Sequence, residues 1–152
     1  MINIVIPDIY TQEIEPGLIE KTVLAIIKHE NLSSEVDVSI VLESDEGIQK
    51  LNAQFRGIDS PTDVLSFSSD DIDPETGQRY LGDIIISYPR AMAQAELAGH
   101  SVKNEVQLLI IHGMLHLMGY DHDTETNKKD MWQKQDKLLK NLSVNISRLP
   151  EE

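Results

Sequence analysis

Cysteine is absent from the 152 residues. That excludes a disulfide framework and a thiolate metal site, so any transition metal must be held by histidine and carboxylate, and it agrees with a reducing compartment. Long apolar runs are missing too. The most apolar segment, Val106 to Met118, is interrupted by two histidines and a glycine, too short and too polar to span a bilayer. Met1 to Tyr10 lacks the cationic stretch and apolar core of a secretory leader. A cytoplasmic protein without membrane contact is the expectation. Bases are few, and the formal charge of −13 would repel nucleic acid if it were spread evenly. The acid is concentrated in residues 1–100, however, and residues 101–152 are nearly balanced. No internal repeat or low-complexity linker divides the chain, and 40% hydrophobic residues over this length suit one compact domain, residues 1–152.

Apolar periodicity places four strands and five helices along the chain. Ile2, Ile4 and Ile6 alternate until Pro7, and Val36, Val38, Ile40 and Leu42 alternate in the same way. Pro16 opens a helix whose core stripe is Ile19, Val23, Ile26 and Ile27, ending near Glu30. Ser44 caps a second helix with Asp45 and Glu46 in its first turn, where the dipole favours negative charge. Ile48, Leu51 and Phe55 are its expected buried stripe, and Arg56-Gly57 its end. Val64 to Phe67 reads as a third strand, Ser68 to Gln78 as a polar and mobile loop, and Leu81 to Ser87 as a fourth strand. The unbroken Ile84-Ile85-Ile86 run marks that last strand as central and covered on both faces. A helix from Ser87-Pro89 to Gly99 follows. Val102 to Met118 is apolar nearly all round, which places this helix in the middle of the molecule. A final amphipathic helix, Thr124 to Leu142, buries Met131, Gln135, Leu138 and Leu142. The expected fold is α+β, a four-stranded mixed and mostly parallel sheet with helices packed around a central histidine-bearing helix.

His112 and His116 lie four residues apart on that helix, so their side chains leave the same face one turn apart and can reach one metal ion. Gly119 can turn the chain sharply, and His122 follows three residues later. A lone histidine on a buried helix is usually a hydrogen-bonded core residue. Three of the five histidines within eleven residues, in the spacing H-x-x-x-H-x-x-G-x-x-H shared with metzincin proteases, point instead to one ion per chain. Three neutral imidazoles leave zinc its full charge and an open position, as in catalytic sites. Zinc suits them and nickel would also bind. Gly113 stands where those proteases place a general-base glutamate, so peptide hydrolysis is the weaker reading. A phosphodiester gains more from a dication beside its anionic oxygens. Glu105 lies two turns earlier on the same helical face, a position from which a carboxylate can orient a ligand, with a surface or helix-start role the plainer reading. Asp121 and Asp123 flank His122 as candidate hydrogen-bond acceptors for an imidazole or a proton, with helix capping the plainer role for Asp123.

The run His112-Gly113-Met114-Leu115-His116-Leu117-Met118-Gly119-Tyr120-Asp121-His122 resembles the signature H-G-x-L-H-L-x-G-Y-D-H of the YbeY endoribonucleases. Arg56-Gly57-Ile58-Asp59-Ser60-Pro61-Thr62-Asp63-Val64-Leu65-Ser66-Phe67 is similar to that family's R-x-x-D-x-P-T-D-V-L-S-F block, and Gly82-Asp83-Ile84 to its G-D-I strand. The resemblance implies a metal-dependent endoribonuclease of single-stranded RNA, acting in 16S ribosomal RNA 3′-end maturation and in the removal of defective ribosomes. Its partners would be ribosomal RNA and the small ribosomal subunit, not DNA. It also implies zinc at His112, His116 and His122 and a functional arginine at Arg56. Such an arginine makes physical sense as a bidentate clamp on a phosphate. From spacing alone, Arg56 reads as a cation at a helix C-terminus. Ile58 stands where the family often has lysine, and Ser68 where proline is common. The two other readings are a zinc metalloprotease-like hydrolase and a non-catalytic ribosome-assembly factor whose metal only stabilises the fold.

Overall fold

The computed structural model describes residues 1–33 and 35–146. Strands β1 (Ile2–Val5), β2 (Val36–Glu43), β3 (Val64–Ser68) and β4 (Arg79–Ser87) form one sheet in the order β1-β2-β4-β3. β1, β2 and β4 run parallel, and β3 runs antiparallel to β4. Connectivity explains the mixture. Helix α1 (Pro16–His29) carries the chain from β1 back to its parallel neighbour β2, whereas β3 and β4 are the two arms of a hairpin. β4 is thereby flanked on both sides, as its isoleucine run requires: Ile84 and Ile86 face one layer of the core and Ile85 the other.

Four helices follow the same logic: α2 (Asp45–Arg56), α3 (Tyr88–Ala98), α4 (Val102–Leu117) and α5 (Glu125–Asn141). α4 is the hub, packed against α1, α3, α5, β3 and β4. Its side chains from Glu105 to Leu115 are buried all round, and each fully buried Leu, Ile or Val contributes about 1.5–3 kcal/mol. Ser101 caps its N-terminus by accepting the Asn104 N–H at 3.1 Å. Where α4 crosses β4, Gly113 removes the side chain that would keep them apart: a Cβ there would lie 2.8 Å from Ile84 Cγ2.

α2 covers the opposite face of the sheet, where Ile48, Leu65 and Ile85 form a small second cluster with Val41, Leu51 and Phe67. Ser44 caps it as expected, accepting the Gly47 N–H at 3.0 Å. Phe55 departs from the expected stripe and is 60% exposed. The sheet ends beneath the last turn of α2, so the helical period continues past the surface it covers. Residues 69–78 form the expected loop, beginning after Ser68 as the last residue of β3, with one isolated bridge between Ile72 and Arg79. Backbone bonds from Ser69 N–H to Leu81 O, Tyr80 N–H to Asp71 O and Asp73 N–H to Gln78 O, at 2.8–3.0 Å, tie it across the hairpin. Among the described residues, no helix is long and apolar enough to cross a membrane.

Alanine in place of glycine inside a helix ordinarily stabilises it by up to about 1 kcal/mol. At Gly113 the contact with Ile84 reverses the sign, because overpacking costs about 1–3 kcal/mol. Gly113→Ala is expected to lower urea stability by about 1 kcal/mol or more. Combined with Ile84→Ala, it is expected to lose less than the two single losses added together. A more stable Gly113→Ala protein would show that α4 and β4 are not in close contact.

Candidate metal centre

Burial of α4 fixes the first two histidines. His112 is fully buried, and His116, one turn on, is half-buried at the rim of the core. The helix ends at Leu117, and Gly119 takes φ +99°, a conformation that L side chains rarely adopt, so the chain doubles back. His122 is returned to the same place, and one ring nitrogen from each histidine lies within 4.8 Å of the others. Asp121 stabilises the return by accepting the His122 backbone N–H at 2.8 Å.

The outward nitrogens decide which atoms are left for a ligand. His116 Nδ1 lies 3.1 Å from the Tyr120 carbonyl, and His112 Nδ1 lies 3.3 Å from Gln135 Oε1 on α5. Both partners are acceptors, so both Nδ1 atoms carry the proton and both Nε2 atoms present lone pairs. Those two Nε2 atoms are 3.1 Å apart. Two lone pairs at that distance repel unless a cation lies between them. The separation is close to the roughly 3.3 Å that bonds of ~2.0–2.1 Å to a tetrahedral zinc would give. His122 Nε2 is buried with no hydrogen-bond partner. This donor set therefore fits one imidazole-preferring divalent ion, with the protons of His112 and His116 held outward by the groups that usually orient metal-bound histidines. Burial holds the His116 imidazole below its ordinary pKa, His122 beside it pushes the same way, and Asp121 and the Tyr120 carbonyl oppose them. The ring is thus kept in the neutral form that a ligand must have.

His116 and His122 line a cleft of about 390 Å³ that also takes in Arg56, Ser66, Ser68 and Tyr120. Arg56 comes from the end of α2 on the far wall. Its Nη2 donates to the Ser66 carbonyl at 2.8 Å, and its Cζ lies 5.7 Å from the Phe67 ring centroid. Arg56 is brought to one cavity with His116 and His122, and His112 lies buried behind them within reach of the same ion. The other residues singled out from the sequence lie elsewhere. Glu105 is neither at the surface nor against a metal-facing nitrogen; it is fully buried, 2.7 Å from His100 Nε2. Asp123 is exposed and accepts from Asn127 Nδ2 at 2.9 Å, which holds its carboxyl below the usual range. Thr124 is the actual cap of α5. Two contributors were missed. Gln135 had a legible signal, a polar residue in the buried stripe of the last helix. Trp132, with ring centroids 6.0 Å from His112 and 5.8 Å from His122, had none.

A family profile described as Endoribonuclease YbeY matches residues 8–143. The chain belongs to this family. Curated relatives agree over most of their length. Endoribonuclease YbeY of Roseiflexus sp. (strain RS-1) is 41% identical over 141 residues, covering 89% of this chain and 88% of its own. That of Sulfurihydrogenibium sp. (strain YO3AOP1) is 42% identical over 142 residues, 91% of each chain. The fold is also that of TM1509 from Thermotoga maritima, a solution structure superimposing with a TM-score of 0.63 at 29% identity over 93% of this chain and 89% of that one. Family membership and the three convergent histidines point to the same conclusion, an endoribonuclease scaffold with a place for a metal.

Trp132 is the only tryptophan of the chain, so its emission reports on this site. Nickel titrated into metal-free protein is expected to quench it to a plateau at one equivalent, and His116→Ala is expected to abolish the effect. Saturating zinc should raise the melting temperature of the wild type but not of His116→Ala, since about 2.7 kcal/mol is gained at a hundred times Kd. Equal responses from both proteins would place the binding site elsewhere.

Proposed function

We propose that this protein is a zinc-dependent endoribonuclease of single-stranded RNA, one domain spanning residues 1–152. His112, His116 and His122 hold the ion and Arg56 binds the scissile phosphate. The proposal extends to ribosomal RNA of the small subunit as the cytoplasmic substrate, in 16S 3′-end maturation and ribosome quality control. One observation carries it: the Arg56 guanidinium lines the same cleft as His116 and His122, two members of the three-imidazole donor set, the pairing that an anionic phosphodiester requires.

The bound ion supplies concentrated positive charge that polarises a phosphoryl oxygen. The chain's residues supply the rest. The Tyr120 carbonyl and Gln135 keep the His116 and His112 rings turned with Nε2 inward. Arg56, held against β3 by the Ser66 carbonyl, brings a guanidinium charge to oxygens on which charge grows. Gly113 bears on the protease alternative. A glutamate there would be driven into Ile84 and the sheet, so the position where metzincins carry their base cannot serve that role in this fold.

Single-stranded RNA and casein, each incubated with zinc-loaded protein beside a chelated control, test the proposal. RNA alone is expected to be cut, and only without chelator. Casein cleavage would favour the protease, and no cleavage of either would favour an assembly factor. Arg56→Lys is the sharper variant. It keeps the charge and loses the two-pronged geometry, so zinc uptake and melting temperature should be retained while RNA cleavage falls about a hundredfold. If Arg56 were only a helix-terminal cation, lysine would serve nearly as well and activity would stay near wild type.

A further inference from the structure

Phe55 is 60% exposed, and Ile58, just past the same helix end, is 52% exposed. Single exposed apolar side chains are ordinary, and Leu97 and Ile9 are more exposed still. Phe55 differs in its company. The chain has only two phenylalanines, and they touch edge-to-face, with ring centroids 5.5 Å apart and planes at 61°. The same Phe67 ring lies beneath the Arg56 guanidinium, 5.7 Å from Cζ. One half-buried ring therefore braces two things at once: an exposed aromatic and the cation that lines the histidine cleft.

We propose that Phe55 is a stacking platform for an unpaired base of single-stranded RNA whose adjoining phosphate lies on Arg56. This rests on the endoribonuclease reading above and assigns to it a base-binding residue. Charge supplies the first argument. With a formal charge of −13, the chain as a whole gains little from long-range attraction to a polyanion, whereas base–aromatic stacking is worth about 1–3 kcal/mol per base and does not depend on net charge. Placement supplies the second. Phe55 and Arg56 both rest on the Phe67 ring, 5.5 Å and 5.7 Å from its centroid, which sets an apolar face near a cleft-lining guanidinium as base and phosphate are set along one strand. Selectivity follows, because a base inside a duplex has both faces covered by its neighbours and cannot offer one to Phe55.

The test measures binding apart from cleavage. A fluorescent, fully 2′-O-methylated single-stranded oligonucleotide is titrated with zinc-loaded wild type, Phe55→Ala, Phe55→Leu and Phe55→Trp. Phe55→Ala and Phe55→Leu are expected to bind about 5- to 100-fold more weakly, the range that one stacked base sets, and Phe55→Trp to bind as wild type does. A 2-aminopurine in the oligonucleotide should be quenched by wild type and Phe55→Trp and not by Phe55→Ala. Zinc content and melting temperature should be the same in all four, since the ring is largely in solvent. Wild-type affinity in Phe55→Ala overturns the proposal and leaves the exposed ring to a protein partner. Wild-type affinity in Phe55→Leu overturns stacking as the cause. The endoribonuclease reading fails separately, if zinc-loaded wild type neither binds nor cuts RNA.

Discussion

Two imidazole lone pairs held 3.1 Å apart are the constraint around which this molecule is arranged. Such a pair is unfavourable without a cation, and the surrounding structure gives it no escape. His112 cannot rotate because it is fully buried and its Nδ1 faces Gln135. His116 is tied to the Tyr120 carbonyl by the turn that also returns His122. The fold thus holds the two rings in one arrangement by packing, and an ion held between them would be coupled to the stability of the hub helix.

The hub helix faces competing demands. It must be apolar on every side to hold α1, α3, α5 and the sheet together, yet it must present two ligands at one end. The chain meets both by pairing the polar side chains of the first turns, Glu105 with His100 and Gln107 with Thr22, by turning His112 toward α5 and His116 toward the cleft in the last turns, and by placing Gly113 between them against Ile84. Close approach of α4 to β4 brings the end of the helix over the sheet, and β3 then forms the facing wall of the cleft through Ser66 and Ser68. Residue 113 is a packing position in this fold, which gives a structural reason for the departure from the protease motif.

Much of this was legible because local patterns and tertiary needs coincide. Alternation in Val36–Leu42, the unbroken isoleucines of β4, the Ser44 cap and the all-round apolarity of α4 each have one physical meaning, and the structure realises each. The histidine triad was legible for the same reason: spacing on a helix is geometry. The misreadings fall where period and burial part company. Phe55 continues a helical stripe beyond the edge of the sheet that buries it. Glu105 is buried although charged, because its partner His100 lies five residues away at another helix end, a contact that no periodicity encodes. The placement of Arg56 opposite the histidines was likewise invisible to spacing, because it depends on β3 lying at the sheet edge beside β4.

Sheet order in turn bears on how an acidic protein could hold an anion. β3 lies at the edge of the sheet beside β4, and Arg56 at the end of α2 meets it there through the Ser66 carbonyl, in the cleft that His116 and His122 also line. The cleft lining carries one guanidinium, two imidazoles and one carboxylate, Asp121, whereas the chain as a whole carries a formal charge of −13. At ionic strengths where the Debye length is about 8–10 Å, distant carboxylates are largely screened from that edge and only the nearby groups are felt. Net charge then governs solubility and the rate of encounter, and the cleft governs what is held once encounter has occurred.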